Sequence, residues 1–130
     1  MIRIVFLSLI FVCACEPLNS PEINIISESD FIELQDSEYT LIDVRTQDEF
    51  DLGYINNAIN LDFYSDTFKN DILSLPKNET IVLYCRTNNR SSKTAAILQE
   101  NGYRDILVIK GGITEWVKNG NDINYTKYSE

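Results

Sequence analysis

From Ile23 to Trp116 the chain repeats one alternation: an apolar run of strand length, then apolar residues at helical spacing. No other feature constrains the fold as much. A helix between two strands returns the chain to the same end of the sheet, so consecutive strands run parallel. "TIVLY" (80–84) is the most clearly marked strand, and "YTLIDV" (39–44) and "ILVI" (106–109) share its β-branched, apolar character. "INII" (23–26) is a candidate first strand. "AINLDF" (58–63) sets Ile59, Leu61 and Phe63 against Asn60 and Asp62, the period of a strand.

Helix signals fill the gaps. Ser27 and Asp30 have capping-box spacing before "FIELQ", and Thr46 and Glu49 repeat it before a short helix ending near Gly53. Phe68, Ile72 and Leu75 recur at helical spacing until Pro76. Ser91 to Glu100 reads as a helix stopped by Asn101-Gly102, and Gly111-Gly112 turns into another around Trp116. The expected fold is α/β, with a central, mainly parallel sheet of about five strands and helices on both faces. Sites in such sheets lie at the C-terminal ends of strands. Cys85 occupies one such end.

At 130 residues the chain has the size of one domain with a real core. Eleven Lys and Arg against twenty Asp and Glu give a net charge of -9. That balance excludes a basic footprint for nucleic acid or for anionic lipid. The first residues, "MIRIVFLSLIFVCAC", differ from the rest: Arg3 precedes an apolar run from Ile4 to Val12. The run is shorter than the ~20 residues that span a bilayer and fits the core of a secretory signal. Residues 1–14 are expected to be a signal peptide, 15–22 a tether, and 23–130 the folded domain. "VCAC" resembles the lipobox of bacterial lipoproteins, which makes Cys15 the expected lipidation site. The expected location is the periplasm or cell envelope, with membrane contact only through that lipid.

One cysteine, Cys85, remains in the domain. A disulfide framework and a multi-cysteine zinc site are thereby excluded. Free cysteines are often core residues, but Arg86 and Arg90 flank this one. The segment Cys85-Arg86-Thr87-Asn88-Asn89-Arg90 links a strand to a helix. Curled, it would converge its backbone N–H groups on the sulfur, with the helix from Ser91 adding its positive end. Such settings lower a cysteine pKa from about 8.5 to about 3.5–7.5. A thiolate would then form without histidine, of which the chain has none.

"LIDVRTQDEFDLGYINNAINL", "CRTNNRS" and "GYRDILVIKGGITEW" resemble, in order, the three signatures of the single-domain rhodanese family. The resemblance runs from about Ile23 to Trp116. It implies a sulfurtransferase in which Cys85 takes a sulfane sulfur from thiosulfate or a persulfide and passes it to cyanide or a thiol. It further implies substrate contact by the loop Arg86, Thr87, Asn88, Asn89 and Arg90, with Arg86 on the donor's anionic group. Arg90 either adds charge or acts as a structural clamp. Asp43 and Arg45 would support the loop, Arg45 and Glu49 would form a structural ion pair, and Trp116 would be core. No cofactor or metal is implied, the partners are small molecules, and a monomer is expected. Asn88 stands at a family glycine and is expected to take its positive φ. Tyr54, Asn56 and Asn57 replace the family's His, Pro and Gly, which bears on substrate fit.

Three other readings compete. Cysteine phosphatases place five residues between Cys and Arg, whereas four separate Cys85 from Arg90. A thiol redox protein would need a resolving cysteine. A non-catalytic binding or regulatory module is the main alternative, although inactive relatives usually lack the cysteine.

Overall fold

The structure is a computed structural model that describes residues 22–34 and 37–126. The expected signal peptide (1–14), Cys15 and the tether up to residue 21 lie outside the described residues. In chain order the elements are β1 (Asn24–Ile26), α1 (Glu28–Glu33), β2 (Thr40–Asp43), α2 (Gln47–Asp51), β3 (Ile59–Asn60), α3 (Phe68–Leu73), β4 (Ile81–Tyr84), α4 (Asn89–Glu100), β5 (Ile106–Ile109) and α5 (Gly112–Lys118). The strands form one sheet in the order β1-β5-β4-β2-β3, and every pairing is parallel. No helix among the described residues is long and apolar enough to cross a membrane.

Central β4 is buried along its whole length and feeds two cores, because successive side chains point to opposite faces. Ile81, Leu83 and then Cys85 pack with Phe68 and Ile72 of α3 and Ala95 and Leu98 of α4. Val82 and Tyr84 pack on the other side with Phe31 of α1 and Ile113 and Trp116 of α5. The sheet is thus covered on both faces, as the alternation predicts. Trp116 is core, its indole N–H donating to the Asp122 carbonyl at 2.8 Å. Both expected capping boxes form, Ser27 with Asp30 and Thr46 with Glu49.

The "AINLDF" segment departs from expectation. Only Ile59–Asn60 is strand, and Ile59 is half exposed. The cause is Asn60, whose side-chain amide donates to the carbonyls of Asp43 and Arg45 at 3.0 and 2.9 Å. Those contacts hold the chain where β2 ends, and beyond Asn60 the pairing continues only as bonds from the Leu61 and Phe63 N–H groups to the Asp43 and Val44 carbonyls. Helix α3 ends at Leu73, before Leu75, and α4 starts at Asn89, two residues ahead of Ser91.

The ion pair expected between Arg45 and Glu49 is not formed. Arg45 instead turns back on Asp43, donating from Nε at 3.0 Å and from Nη2 at 2.6 Å. Its Nη2 also reaches the Gly53 carbonyl at 2.7 Å. A buried carboxylate two residues away is the better partner, since both charges would otherwise lose solvation uncompensated. Asp43→Ala is expected to cost about 3–5 kcal/mol in urea unfolding, because it strands the Arg45 charge. Asp43→Leu with Arg45→Met should recover most of that loss; a double variant as weak as the single one overturns this account.

Candidate active site

Cys85 ends β4, and the backbone from Arg86 to Asn88 carries the chain into α4. Continuing the β4 alternation buries the thiol, which is 1% exposed, on the α3–α4 face. The charged neighbours had suggested a more open position. They are sequence neighbours only; Arg86 lies outside while the cysteine side chain points in. Sγ lies 3.4 Å from the Ser91 hydroxyl in the first turn of α4. That hydroxyl also donates to the Asn88 carbonyl at 3.2 Å.

The first turn of α5 holds the loop from the other side. The N–H groups of Ile113 and Thr114 donate to the carbonyls of Cys85 and Arg86 at 3.0 and 3.1 Å. The approach needs Gly112, which has φ +55° and whose Cβ, if present, would lie 2.3 Å from the Cys85 carbonyl oxygen. Asn88 completes the tie, donating to the Ile109 carbonyl at 3.2 Å and accepting from the Gly111 N–H at 2.8 Å.

Asn88 does not take the expected positive φ; its φ is -142°. Its side chain makes the turn by bridging to the β5–α5 corner, so left-handed backbone is not needed. The positive φ appears instead at Asn57, with 66°, another position where asparagine replaces a family glycine.

A trans peptide points its N–H opposite to its C=O. With the Cys85 and Arg86 carbonyls turned to α5, the N–H groups of Arg86 and Thr87 face away from it. Among the described residues no acceptor takes the backbone N–H groups from Arg86 to Ser91. Asn88 leaves α4 without a side-chain cap. The loop and the helix start therefore present a run of donors suited to an anion.

Arg90 is clamped. Its guanidinium donates to both Glu49 carboxylate oxygens, at 2.7 and 2.9 Å, and lies 5.7 Å from the centre of the Tyr64 ring. The Arg90 contact draws the Glu49 carboxyl from 4.5 down to about 2, and the same bond raises Arg90. Of the loop's two arginines, only Arg86 has a guanidinium with no ion pair or hydrogen bond among the described residues. Thr87 and Asn89 are exposed on the loop's outer side. Asp43 and Arg45 lie behind it, paired together and next to Tyr84, the residue before Cys85. Burial first, and then the Asp43 carboxylate, push the Tyr84 hydroxyl far up, so it stays protonated and accepts from the Ile55 N–H at 3.1 Å.

Sequence reasoning missed Ser91, Gly112 and the Glu49–Arg90 pairing as parts of the site. A hydroxyl in the first turn after the loop and a paired glycine after β5 were the available signals. The Glu49 contact spans 41 residues and left none. Among the described residues no cluster of His, Cys, Asp or Glu is placed to hold a metal.

Residues 27–119 match the family described as Rhodanese-like domain. The chain belongs to this family. A protein named Sulfurtransferase from Allochromatium vinosum is 35% identical over 95 residues, which cover 72% of this chain and 87% of that one. A tRNA uridine(34) hydroxylase of Erwinia tasmaniensis is 34% identical over 91 residues, covering 65% of this chain; the chain spans only a quarter of the hydroxylase's length. A rhodanese-related protein of Thermoplasma volcanium has the same fold, with a TM-score of 0.71, 26% identity, and coverage of 79% of this chain and 99% of that one.

Glu49 is displaced below its ordinary 4.5, so its pairing stabilises the fold above that pH and is lost as pH falls toward about 2. Glu49→Gln is expected to lower stability by about 0.5–1 kcal/mol at pH 6, the range for a partly exposed pair. The gap from wild type in urea unfolding should close across the pH window from 4.5 downward. A gap independent of pH would show that the pair stabilises by packing alone.

Proposed function

We propose that this chain is a sulfurtransferase that carries a sulfane sulfur on Cys85. The observation that carries the reading is the run of unpartnered N–H groups from Arg86 to Ser91, in the loop that follows a cysteine at the end of a central strand. Deprotonated Cys85 attacks the outer sulfur of a donor such as thiosulfate. The donor S–S bond breaks, sulfite leaves with the bonding electron pair, and Cys85 becomes a persulfide. A thiophilic acceptor then attacks the outer sulfur and restores the thiolate. Donors fixed before the reaction stabilise the negative charge on the outer sulfur without reorganising. Ser91 contributes a hydroxyl to Cys85, and Arg86 meets the donor's anionic group. Arg90, occupied by Glu49, braces the loop.

Burial of the thiol favours a second reading, a binding module with an inert cysteine. Intact mass of the chain from Glu16, after incubation with thiosulfate or a small persulfide, separates the two. One added sulfur on the wild type, none on Cys85→Ala, and its removal by cyanide are expected. A wild type that stays unmodified by every donor leaves the binding module as the reading. The net charge of -9 favours small-molecule partners over nucleic acid in either case.

The reading places the domain at the cell envelope, exported by residues 1–14 and anchored by lipid on Cys15. Its support is the short apolar run before "VCAC". Cys15→Ser is expected to move the protein from the membrane fraction to a soluble one. Retention of that variant in the membrane fraction rules out the lipid anchor.

A further inference from the structure

From Cys85 to Arg90, only Arg86 and Arg90 carry charge. Arg86 borders the α5 side of the loop, beside Ile113 and Val117. Arg90 lies on the side of the sulfur. Its guanidinium is 5.7 Å over the Tyr64 ring centre, and the adjoining Phe63 ring meets Tyr64 edge-on while packing against the core layer that holds Cys85. The Arg90 pKa is raised chiefly by its bond to Glu49, and the Cys85 sulfur adds to the rise. The guanidinium is therefore within electrostatic reach of the sulfur. Glu49 nevertheless withholds it. The carboxylate takes both terminal nitrogens, at 2.7 and 2.9 Å, and the Arg90 side chain is left only 13% exposed. Two-point pairs of this kind are strong and fixed in direction. Glu49 is itself anchored, because its Oε2 accepts from the Thr46 N–H at 3.0 Å in the α2 capping box. Arg90 meets a donor anion only by giving up a pair whose carboxylate is held elsewhere. Thiosulfate carries two negative charges, and Arg86 is left as the one loop guanidinium without an ion pair among the described residues. The net charge of -9 adds a general repulsion of anions.

We propose that Glu49 determines donor specificity: by holding Arg90 it selects against the doubly charged donor thiosulfate and in favour of organic persulfides, whose sulfur end carries at most one charge. The proposal rests on the sulfurtransferase reading and concerns the choice among its donors. Both donors react by the same step. The Cys85 thiolate bonds to the outer sulfur, the donor S–S bond breaks, and sulfite or an organic thiolate leaves with the electron pair. Glu49 touches neither donor and acts through the charge it cancels on Arg90. Discrimination between two ligands needs only a difference in their affinities, and one guanidinium held back weakens the dianion more than the monoanion.

The test measures the rate at which the full chain gains one sulfur on Cys85, by intact mass, from thiosulfate and from 2-hydroxyethyl persulfide over a range of concentrations. Glu49→Gln keeps an acceptor for Arg90 and a side chain suited to the capping box, but removes the charge. It is expected to raise the thiosulfate-to-persulfide ratio of loading rates by about tenfold, the scale of one unit charge at a partly exposed site. The gain should appear in the half-saturating thiosulfate concentration more than in the limiting rate. Adding Arg90→Gln makes the pair neutral again, and the ratio should return to within about twofold of wild type. Glu49→Ala is read in the same way if the glutamine variant does not fold. A ratio within about twofold of wild type once Glu49 is replaced, or a gain that persists without Arg90, overturns the role of Glu49 while sulfur transfer stands. Failure of the wild type to load from either donor overturns both readings.

Discussion

The site depends on two hydrogen bonds, from the Ile113 and Thr114 N–H groups of α5 to the Cys85 and Arg86 carbonyls. Helix starts have spare N–H groups, and here α5 spends two of them on carbonyls of its neighbour. The consequence follows from peptide geometry: with those carbonyls held outward, the loop must turn its own N–H groups the other way. Gly112 permits the approach, and Asn88 fixes the corner from the side. Removing a carbonyl partner from α5 would free the loop to rotate its peptides and satisfy its donors within the chain. The orientation of the loop's donors is thus set by a helix packed on the opposite face of the sheet from the sulfur.

Charge around the site is sorted in the same spirit. Asp43 and Arg45 cancel behind the sheet end, and Glu49 and Arg90 cancel beside the loop. In an acidic chain with a net charge of -9, a guanidinium without a partner among the described residues, next to Cys85, is conspicuous. Arg86 is left with that role because both nearby carboxylates are spoken for. Had Arg45 paired with Glu49, as the resemblance implied, Arg90 would have been released, and Asp43 would have remained a buried charge without its guanidinium. The observed pairing satisfies both deep groups at once, which a buried charge requires.

The parallel sheet, the helices on both faces, both capping boxes and the position of Cys85 were legible because each rests on local pattern. Period two and period 3.6 report burial directly, and capping boxes involve residues three apart. What was not legible involves distance in sequence. Asn60 shortens β3 by reaching carbonyls 17 and 15 residues away, which no alternation reveals. Asn88 was read by backbone propensity, yet its side chain decided the turn through Ile109 and Gly111. The neighbours of Cys85 misled because a strand sends adjacent residues to opposite sides. Its real environment is that of Leu83, two residues back.

That environment bears on the chemistry. A thiol 1% exposed in a packed layer has almost no water around it, and the polar group hydrogen-bonded to it is the Ser91 hydroxyl. Fixed donors in a dry pocket stabilise charge more strongly than solvent does, provided they are aimed where charge develops. In a persulfide that charge sits on the added outer sulfur, about 2 Å beyond Sγ. The unpartnered N–H groups belong to the loop and the start of α4, and among the described residues no hydrogen bond joins any of them to Sγ. On the proposed reading, the donors serve the sulfur added to Cys85 and not the free thiol, and burial keeps water from it.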